Sequence, residues 1–340
     1  MARTVFVTGG TGFLGRHLVP ALCGAGYAVR LLTRQPQAQV PAWLRRCPAI
    51  TLVSGDLRQP ETFSAALAGC QWAVHAGGLF SFWGGAQEFY DANVTGTENL
   101  LRAASAAGVE RLVHISTAAV IGTPDPALPM DETFPPRPVE PYQVSKLQGE
   151  AAALRWQRER GLPVVVLRPG AYYGPLGHYA FNRLFFRDPM RGIIMQVDGG
   201  RYIQFPVYIA DAAQAVLLAF ERGRPGEIYH ICDDWITHRE AFDIVCAEAG
   251  LRWPRLAIPG WLGVGTAKAM SAAGALLGRE PFWPINLRSY VYNYWRVSSA
   301  KARRELGFAP VGFHEGARRT VAWYRAGQPG RLAELECSDD

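Results

Sequence analysis

Cysteine is scarce in this chain and never clustered. The six, Cys23, Cys47, Cys70, Cys232, Cys246 and Cys337, include no C-x-x-C pair. That spacing argues against a disulfide framework or a zinc site, and it makes a reducing cytoplasm the expected setting, with no metal. A basic stripe is also missing. Lys and Arg outnumber Asp and Glu by 35 to 29, a net charge of +6, yet only "KARRE" (301–305) and Arg318-Arg319 cluster. Both fit solvated helix faces, so nucleic acid is not an expected partner. Long uncharged apolar runs are lacking too. The nearest, 261–278 ("WLGVGTAKAMSAAGALLG"), carries Lys268 and four glycines. A buried or interfacial helix suits it better than a membrane span, and membrane contact is not expected. The chain opens directly on a strand-like run, which leaves no room for a signal peptide.

What is present describes a globular protein: 49% of residues are hydrophobic and 19% charged over 340 residues. One large domain or two interlocked ones follow from that length. The first half alternates strand and helix patterns. Strands are expected at "TVFVTG", "YAVRLLTR", "AITLVSGDL", "WAVHAGG", "RLVHISTAAVIG" and "PVVVLRPGAYYG". Helices are expected over 16–25, 63–67, 93–107 and 142–160. Continuous V/I/L runs, rather than alternating ones, indicate a parallel sheet buried on both faces: an α/β, doubly wound fold. Past Gly174 the composition shifts to dense proline and aromatics, among them Trp235, Trp253, Trp261, Trp283 and Trp295. Residues 1–174 are therefore expected to form the sheet domain and 175–340 mostly a smaller C-terminal substrate-binding lobe. Segments around 207–234 are expected to return to the sheet domain as a helix and a strand.

"TGGTGFLG" (8–15) sets four glycines where the first strand ends. It satisfies G-x-G-x-x-G from Gly10 and G-x-x-G-x-x-G from Gly9. After a strand and before a helix, such a loop fits a dinucleotide: a tight turn, close approach of backbone N–H groups to pyrophosphate, and a helix N-terminus. An NAD site would place a carboxylate at the end of the second strand, on the ribose 2′-OH. No Asp or Glu precedes Asp56, and the position in question reads Thr33-Arg34. A guanidinium suits a 2′-phosphate, which favours NADP(H), with NAD(H) the alternative. Asp56, at the end of the third strand, is positioned for the adenine amino group.

"YQVSK" sets Tyr142 and Lys146 four apart, on one helix face. An ammonium near a phenol favours phenolate, so Tyr142 is expected to have a lowered pKa and to act as general acid/base on a carbonyl or alcohol oxygen. Ser116 and Thr117, following the fifth strand, offer a hydroxyl to the same oxygen.

With these pieces in place, the chain resembles the extended short-chain dehydrogenase/reductase family over nearly its whole length. "TGGTGFLG", "GDL", "VHAGG", "NVTGTENLL", "HISTAAVIG", "PYQVSK", "LRPGAYYGP" and "VYIADAAQA" stand in family order. The resemblance implies a Rossmann domain, with Tyr142 as catalytic acid/base, Lys146 also on the nicotinamide ribose, and Thr117 or Ser116 polarising the carbonyl. It places Asn93 as the helix-start asparagine of the catalytic set. It implies cofactor contacts from Gly9, Thr11, Gly12, Phe13, Leu14 and Gly15, from Arg34, Asp56 and Leu57, and from Ala76, Gly77, Pro169 and Gly170. It also implies a homodimer through the long helices.

Two branches compete within the family. Nucleotide-sugar epimerases and dehydratases, with tightly bound NAD, usually carry Asn where this chain has Ala171. "RPGAYYGP" and "RVSSAKARRELGFAP" look closer to the 3β-hydroxysteroid dehydrogenase and dihydroflavonol-reductase branch. Aromatic residues after the fourth and sixth strands point the same way, toward an apolar substrate held by Phe80, Phe82, Trp83, Tyr172, Tyr173 and Phe181. A sugar-nucleotide enzyme would draw on Arg183, Arg187 and Arg201 instead. A non-catalytic NADP(H) sensor is a third reading, but it has no use for the Tyr142–Lys146 pair.

Overall fold

The computed structural model describes residues 3–252 and 255–330; Trp253 and Cys337 lie outside them. The apolar runs form β1 (Thr4–Thr8), β2 (Ala28–Thr33), β3 (Ile50–Ser54), β4 (Trp72–His75), β5 (Arg111–Ile115) and β6 (Val164–Pro169). A short strand β7 (Ala171–Tyr173) pairs in parallel with β8 (Pro206–Tyr208), apart from the main sheet. The last strand of the main sheet is β9 (Ile228–Ile231), and the order is β9-β6-β5-β4-β1-β2-β3 with every pair parallel. This is the doubly wound α/β arrangement, extended by one strand.

Side chains alternate across each strand, so each strand contributes to two cores. Val5 and Val7 pack under α1 (Gly15–Gly24), whereas Phe6 between them faces the opposite layer. That second layer is α2 (Gly96–Ala106) and α3 (Pro141–Arg160), through Leu100, Leu101, Ala152 and Ala153. α4 (Ile209–Arg222) returns to the first layer beside α1, and Ala302, Leu306 and Phe308 join the same core. The smaller lobe has its own aromatic core, drawn from residues 173–194, α5 (His238–Glu248) and α7 (Phe313–Arg325), while α6 (Gly260–Leu277) lies on a satellite cluster.

Three local departures shape the site. β5 stops at Ile115, and Ala118–Ile121 form one tight helical turn in place of a continued strand. The Thr117 hydroxyl caps that turn, accepting the Ala119 N–H at 3.2 Å, and a capped turn outcompetes the β pattern of an apolar run. β6 ends at Pro169 because Gly170 passes so close to Phe205 that a Cβ would lie 2.1 Å from its carbonyl oxygen. The helix expected to open at Asn93 begins instead at Ala86 and runs through a wide turn at Asp91–Thr95, so Asn93 is not a helix start.

The loop after β7 is pinned by Asn182, a buried residue. It accepts the Gly174 N–H at 2.9 Å and donates to the carbonyls of Gly174 at 2.7 Å and Gly177 at 3.0 Å. His17 on α1 ties in the same loop through Pro175, 3.0 Å away. Replacing Asn182 with leucine should cost about 1–3 kcal/mol for each backbone group left buried without a partner. Urea unfolding monitored by circular dichroism checks this, and an unchanged midpoint would show that the loop holds itself.

Candidate active site

The carboxyl ends of the central strands open onto a cavity of about 470 Å³. One end is the glycine turn. Gly9 has φ +74°, and a Cβ there would lie 2.4 Å from the Ala76 carbonyl. Gly15 sits on Gly10, where a Cβ would be 2.3 Å from its Cα. Gly12 is exposed and meets nothing closer than 3.2 Å, so its missing side chain leaves the cradle open to a ligand rather than serving packing. Gly9, Gly12, Phe13, Leu14, Ala76, Pro169 and Gly170 all line the cavity. With the α1 N-terminus behind the turn, these residues fit the pyrophosphate and nicotinamide half of a dinucleotide.

Other expected contacts lie outside this cavity. The Thr11 carbonyl accepts Arg16 Nε at 3.2 Å. Gly77 N–H donates to Thr8 Oγ1 at 2.9 Å, and the Leu57 carbonyl accepts Asn99 Nδ2 at 2.9 Å. Arg34 is exposed just past β2. Asp56 is held by Arg58, which donates to it from three directions and keeps its carboxyl below the usual range, with Arg34 adding to the pull. Arg58 is a neighbour that the sequence reading missed.

The other end is aromatic. Tyr142, on the first turn of α3, meets Phe80 edge-on at 4.9 Å. Phe82 lies 5.3 Å from Phe80, 5.5 Å from Tyr179 and 5.2 Å from Tyr290. Phe80, Phe82, Tyr172 and Phe181 line the cavity, joined by Tyr179 and Tyr290 from the lobe. Two expected substrate residues do not. Tyr173 is fully buried in the lobe core, stacked on Phe186 at 5.8 Å, because adjacent residues of β7 face opposite sides. Trp83 is half-buried beyond the turn made by Ser81 and does not reach the cavity.

Thr117, Ser116, Tyr142 and Lys146 converge on the cavity. Thr117 lies close enough to the phenol to favour its ionised form, whereas the buried Ser116 hydroxyl has no partner among the described residues. Thr117 is therefore the hydroxyl beside the phenol. The phenol's pKa does not follow the sequence expectation. Burial pushes it above its ordinary value, and the nearby Thr117 hydroxyl is the only opposing influence. The reason is where the ammonium points: Lys146 Nζ donates to the Ile115 carbonyl at 2.6 Å.

Burial lowers Lys146 to about 8, opposed by the Glu150 carboxylate one turn further along α3. Glu150 is itself clamped by Arg168 of β6 at 2.9 and 2.6 Å. Asn93 lies beneath the cavity rather than in it. It accepts Leu79 N–H at 2.7 Å and donates to the Leu79 carbonyl and Ser145 Oγ, each at 3.0 Å. It thereby positions the Gly78–Phe80 wall. His75 also went unread. Thr97 gives its proton to the Asn93 carbonyl at 2.7 Å, so His75 Nε2 must donate to Thr97 and Nδ1 accept from Thr8, each at 2.8 Å. Burial holds that imidazole neutral, with a pKa near 3.

Among the described residues no group of His, Cys, Asp and Glu could hold a metal ion. A dinucleotide cradle continuous with a phenol, a hydroxyl and an ammonium defines a nicotinamide-dependent enzyme on a doubly wound sheet. A family model described as the NAD dependent epimerase/dehydratase family matches residues 5–232. The chain is 35% identical over 320 residues, 91% of itself and 93% of the relative, to the 4-hydroxy-2-methyl-3-oxo-4-farnesyl-3,4-dihydroquinoline-1-oxide ketoreductase of Stigmatella aurantiaca. It is 31% identical to the 3-beta-hydroxysteroid dehydrogenase of Mycolicibacterium neoaurum, over 90% of this chain and 87% of that one. Among solved structures it resembles the dTDP-glucose 4,6-dehydratase DesIV of Streptomyces venezuelae with NAD bound, at 29% identity and TM-score 0.78, covering 98% and 99% of the two chains. The chain belongs to the NAD-dependent epimerase/dehydratase family, the extended short-chain dehydrogenases/reductases.

The lysine gives a pH test. Its folded pKa lies below the ordinary 10.5, so the ammonium is lost as pH rises through about 8. The kcat/KM profile should break downward near that pH, and Lys146→Arg, charged throughout, should remove the break from whatever activity it retains. A wild-type profile that is flat across this range would exclude Lys146 as the titrating group.

Proposed function

We propose that the protein moves hydride between NADP(H) and a ketone or secondary alcohol on a largely apolar substrate. The observation that carries this reading is the wall of the cavity beyond Tyr142: Phe80, Phe82, Tyr179, Phe181 and Tyr290, with no arginine among the described residues. A sugar nucleotide would need cations there. Arg183 instead lies over Phe282 at 4.0 Å and pairs with Asp188, as does Arg187, and Arg201 pairs with Asp198. The relatives that share most of this chain's length include a ketoreductase of a farnesyl-bearing quinoline oxide and a hydroxysteroid dehydrogenase, whose names describe bulky apolar molecules.

In the reducing direction the bound nicotinamide supplies hydride to the carbonyl carbon. Tyr142 gives its proton to the carbonyl oxygen, and Thr117 orients that oxygen through its hydroxyl. The phenolate left behind recovers a proton from solvent. A phenol kept protonated by burial is suited to the acid's role. Lys146, held by the Ile115 carbonyl, keeps a positive charge on the cavity lining. Asn93 and His75 fix the backbone beneath the site and move no proton.

Tyr142→Phe should lower kcat by about 10²–10⁴-fold while leaving NADPH binding, measured by nucleotide fluorescence, intact. Unimpaired turnover would rule out the mechanism.

The preference for NADP(H) rests on Arg34, which stands where an NAD enzyme of this class places a carboxylate. Arg34→Ala should raise KM for NADPH by about 10-fold or more, the worth of a charge-assisted hydrogen bond, and barely alter that for NADH. Equal effects on both cofactors would remove the basis for the preference. The same reading includes a homodimer through α2 and α3, for which light scattering should return twice the chain mass.

A further inference from the structure

Among the described residues, α6 is the one long helix whose large apolar residues face outward. It meets the rest of the protein along a narrow stripe: Gly263, Ala267 and Gly274 are buried, and Met270 is partly so. Small residues allow that close contact. A Cβ on Gly263 would lie 2.1 Å from the Tyr292 hydroxyl, and one on Gly274 would lie 2.7 Å from the Arg279 carbonyl. The remaining sides are open. Trp261 is 76% exposed, Leu262 45%, Leu276 89% and Leu277 74%, and nearby Leu256 and Phe282 are 62% and 47% exposed. The sequence suggested a buried or interfacial helix with no membrane contact; the structure leaves it unburied.

We propose that α6 docks the protein on an anionic lipid surface, lying in the headgroup plane with its open apolar sides in lipid. The helix is 18 residues, about 27 Å at 1.5 Å per residue. Among the described residues no helix is long and apolar enough to cross a membrane, so α6 lies on the bilayer rather than spanning it. Charge selects the occupant. From 249 to 279 the chain has no acidic residue but carries Arg252, Arg255, Lys268 and Arg279. Lys268 and Arg279 are exposed and have no ion-pair partner among the described residues. Glu280, the acid next to Arg279, already accepts from the Tyr179 hydroxyl, so a second copy docked through this face by two-fold symmetry would set Lys268 and Arg279 against themselves. Anionic headgroups answer them directly.

The position gives docking a use. Ala267 and Met270 pack in one cluster with Phe82, Leu287 and Val291, which also line the cavity. The helix that would lie in lipid thus shares one cluster with three residues of the cavity wall, which sets an apolar substrate held in the bilayer close to the site. That use rests on the function proposed above, whereas the docking itself does not.

The test is co-sedimentation of the full chain with vesicles of phosphatidylcholine, with and without phosphatidylglycerol. Binding to the phosphatidylglycerol vesicles, weakened by salt, is expected. Trp261→Glu combined with Leu276→Glu and Leu277→Glu should reduce the bound fraction by at least about tenfold, with NADPH affinity and unfolding temperature unchanged. Lys268→Glu with Arg279→Glu should abolish the preference for the anionic vesicles. No sedimentation with either vesicle would overturn the proposal. So would a triple variant that turns a dimer into a monomer without changing vesicle binding, since the face would then belong to a second copy. Both outcomes are separate from loss of reductase activity, which bears only on the proposed function.

Discussion

Everything in the site depends on backbone meeting backbone at the first turn of the chain. Gly15 rests on Gly10, and Gly9 on Ala76, at distances that admit no Cβ. The contact brings the α1 N-terminus down to the ends of β1 and β4, where the strand order reverses direction. A ligand's phosphates find N–H groups there because no side chain intervenes. Methyl groups at these positions would lift α1 off the sheet, and Leu18, Val19 and Leu22 would lose their seat against α4. The same few ångströms thus serve packing and recognition.

From that turn the polar groups run inward in an order set by burial. Arg168 and Glu150 form a buried pair, about 3% exposed each, which by itself is a doubtful contribution to stability. Its place in the fold gives it a purpose. Glu150 is one helical turn from Lys146 and offsets part of the cost of keeping that ammonium out of water. His75 and His114 lie nearby, both held neutral by burial and by the lysine's charge. The cavity floor therefore carries one net cation.

The strands were legible because a parallel sheet buried on both faces needs apolar runs, and 5–7 and 164–167 are unbroken ones. The glycine turn and the Tyr142–Lys146 pair were legible because their spacing is itself a geometry. Three features were not. "STAAVIG" reads as strand, since nothing in the letters says that the Thr117 side chain will cap a turn. Tyr172 and Tyr173 are alike as residues, and only the pairing of Ala171 with Pro206 decides which faces the cavity. The phenol's pKa depended on weighing burial against an ammonium, and the direction in which Lys146 points cannot be read from a four-residue spacing.

β6 runs into β7 with only Gly170 between them, and α4 follows β8 without a break. No linker separates the lobe that walls the cavity from the sheet that carries its chemistry. The parallel pair β7–β8 turns Val207 into the sheet core and Tyr173 and Tyr208 into the lobe core. Sheet and lobe thus meet along a shared seam rather than across a joint, and a change in either short strand would be felt on both sides of it.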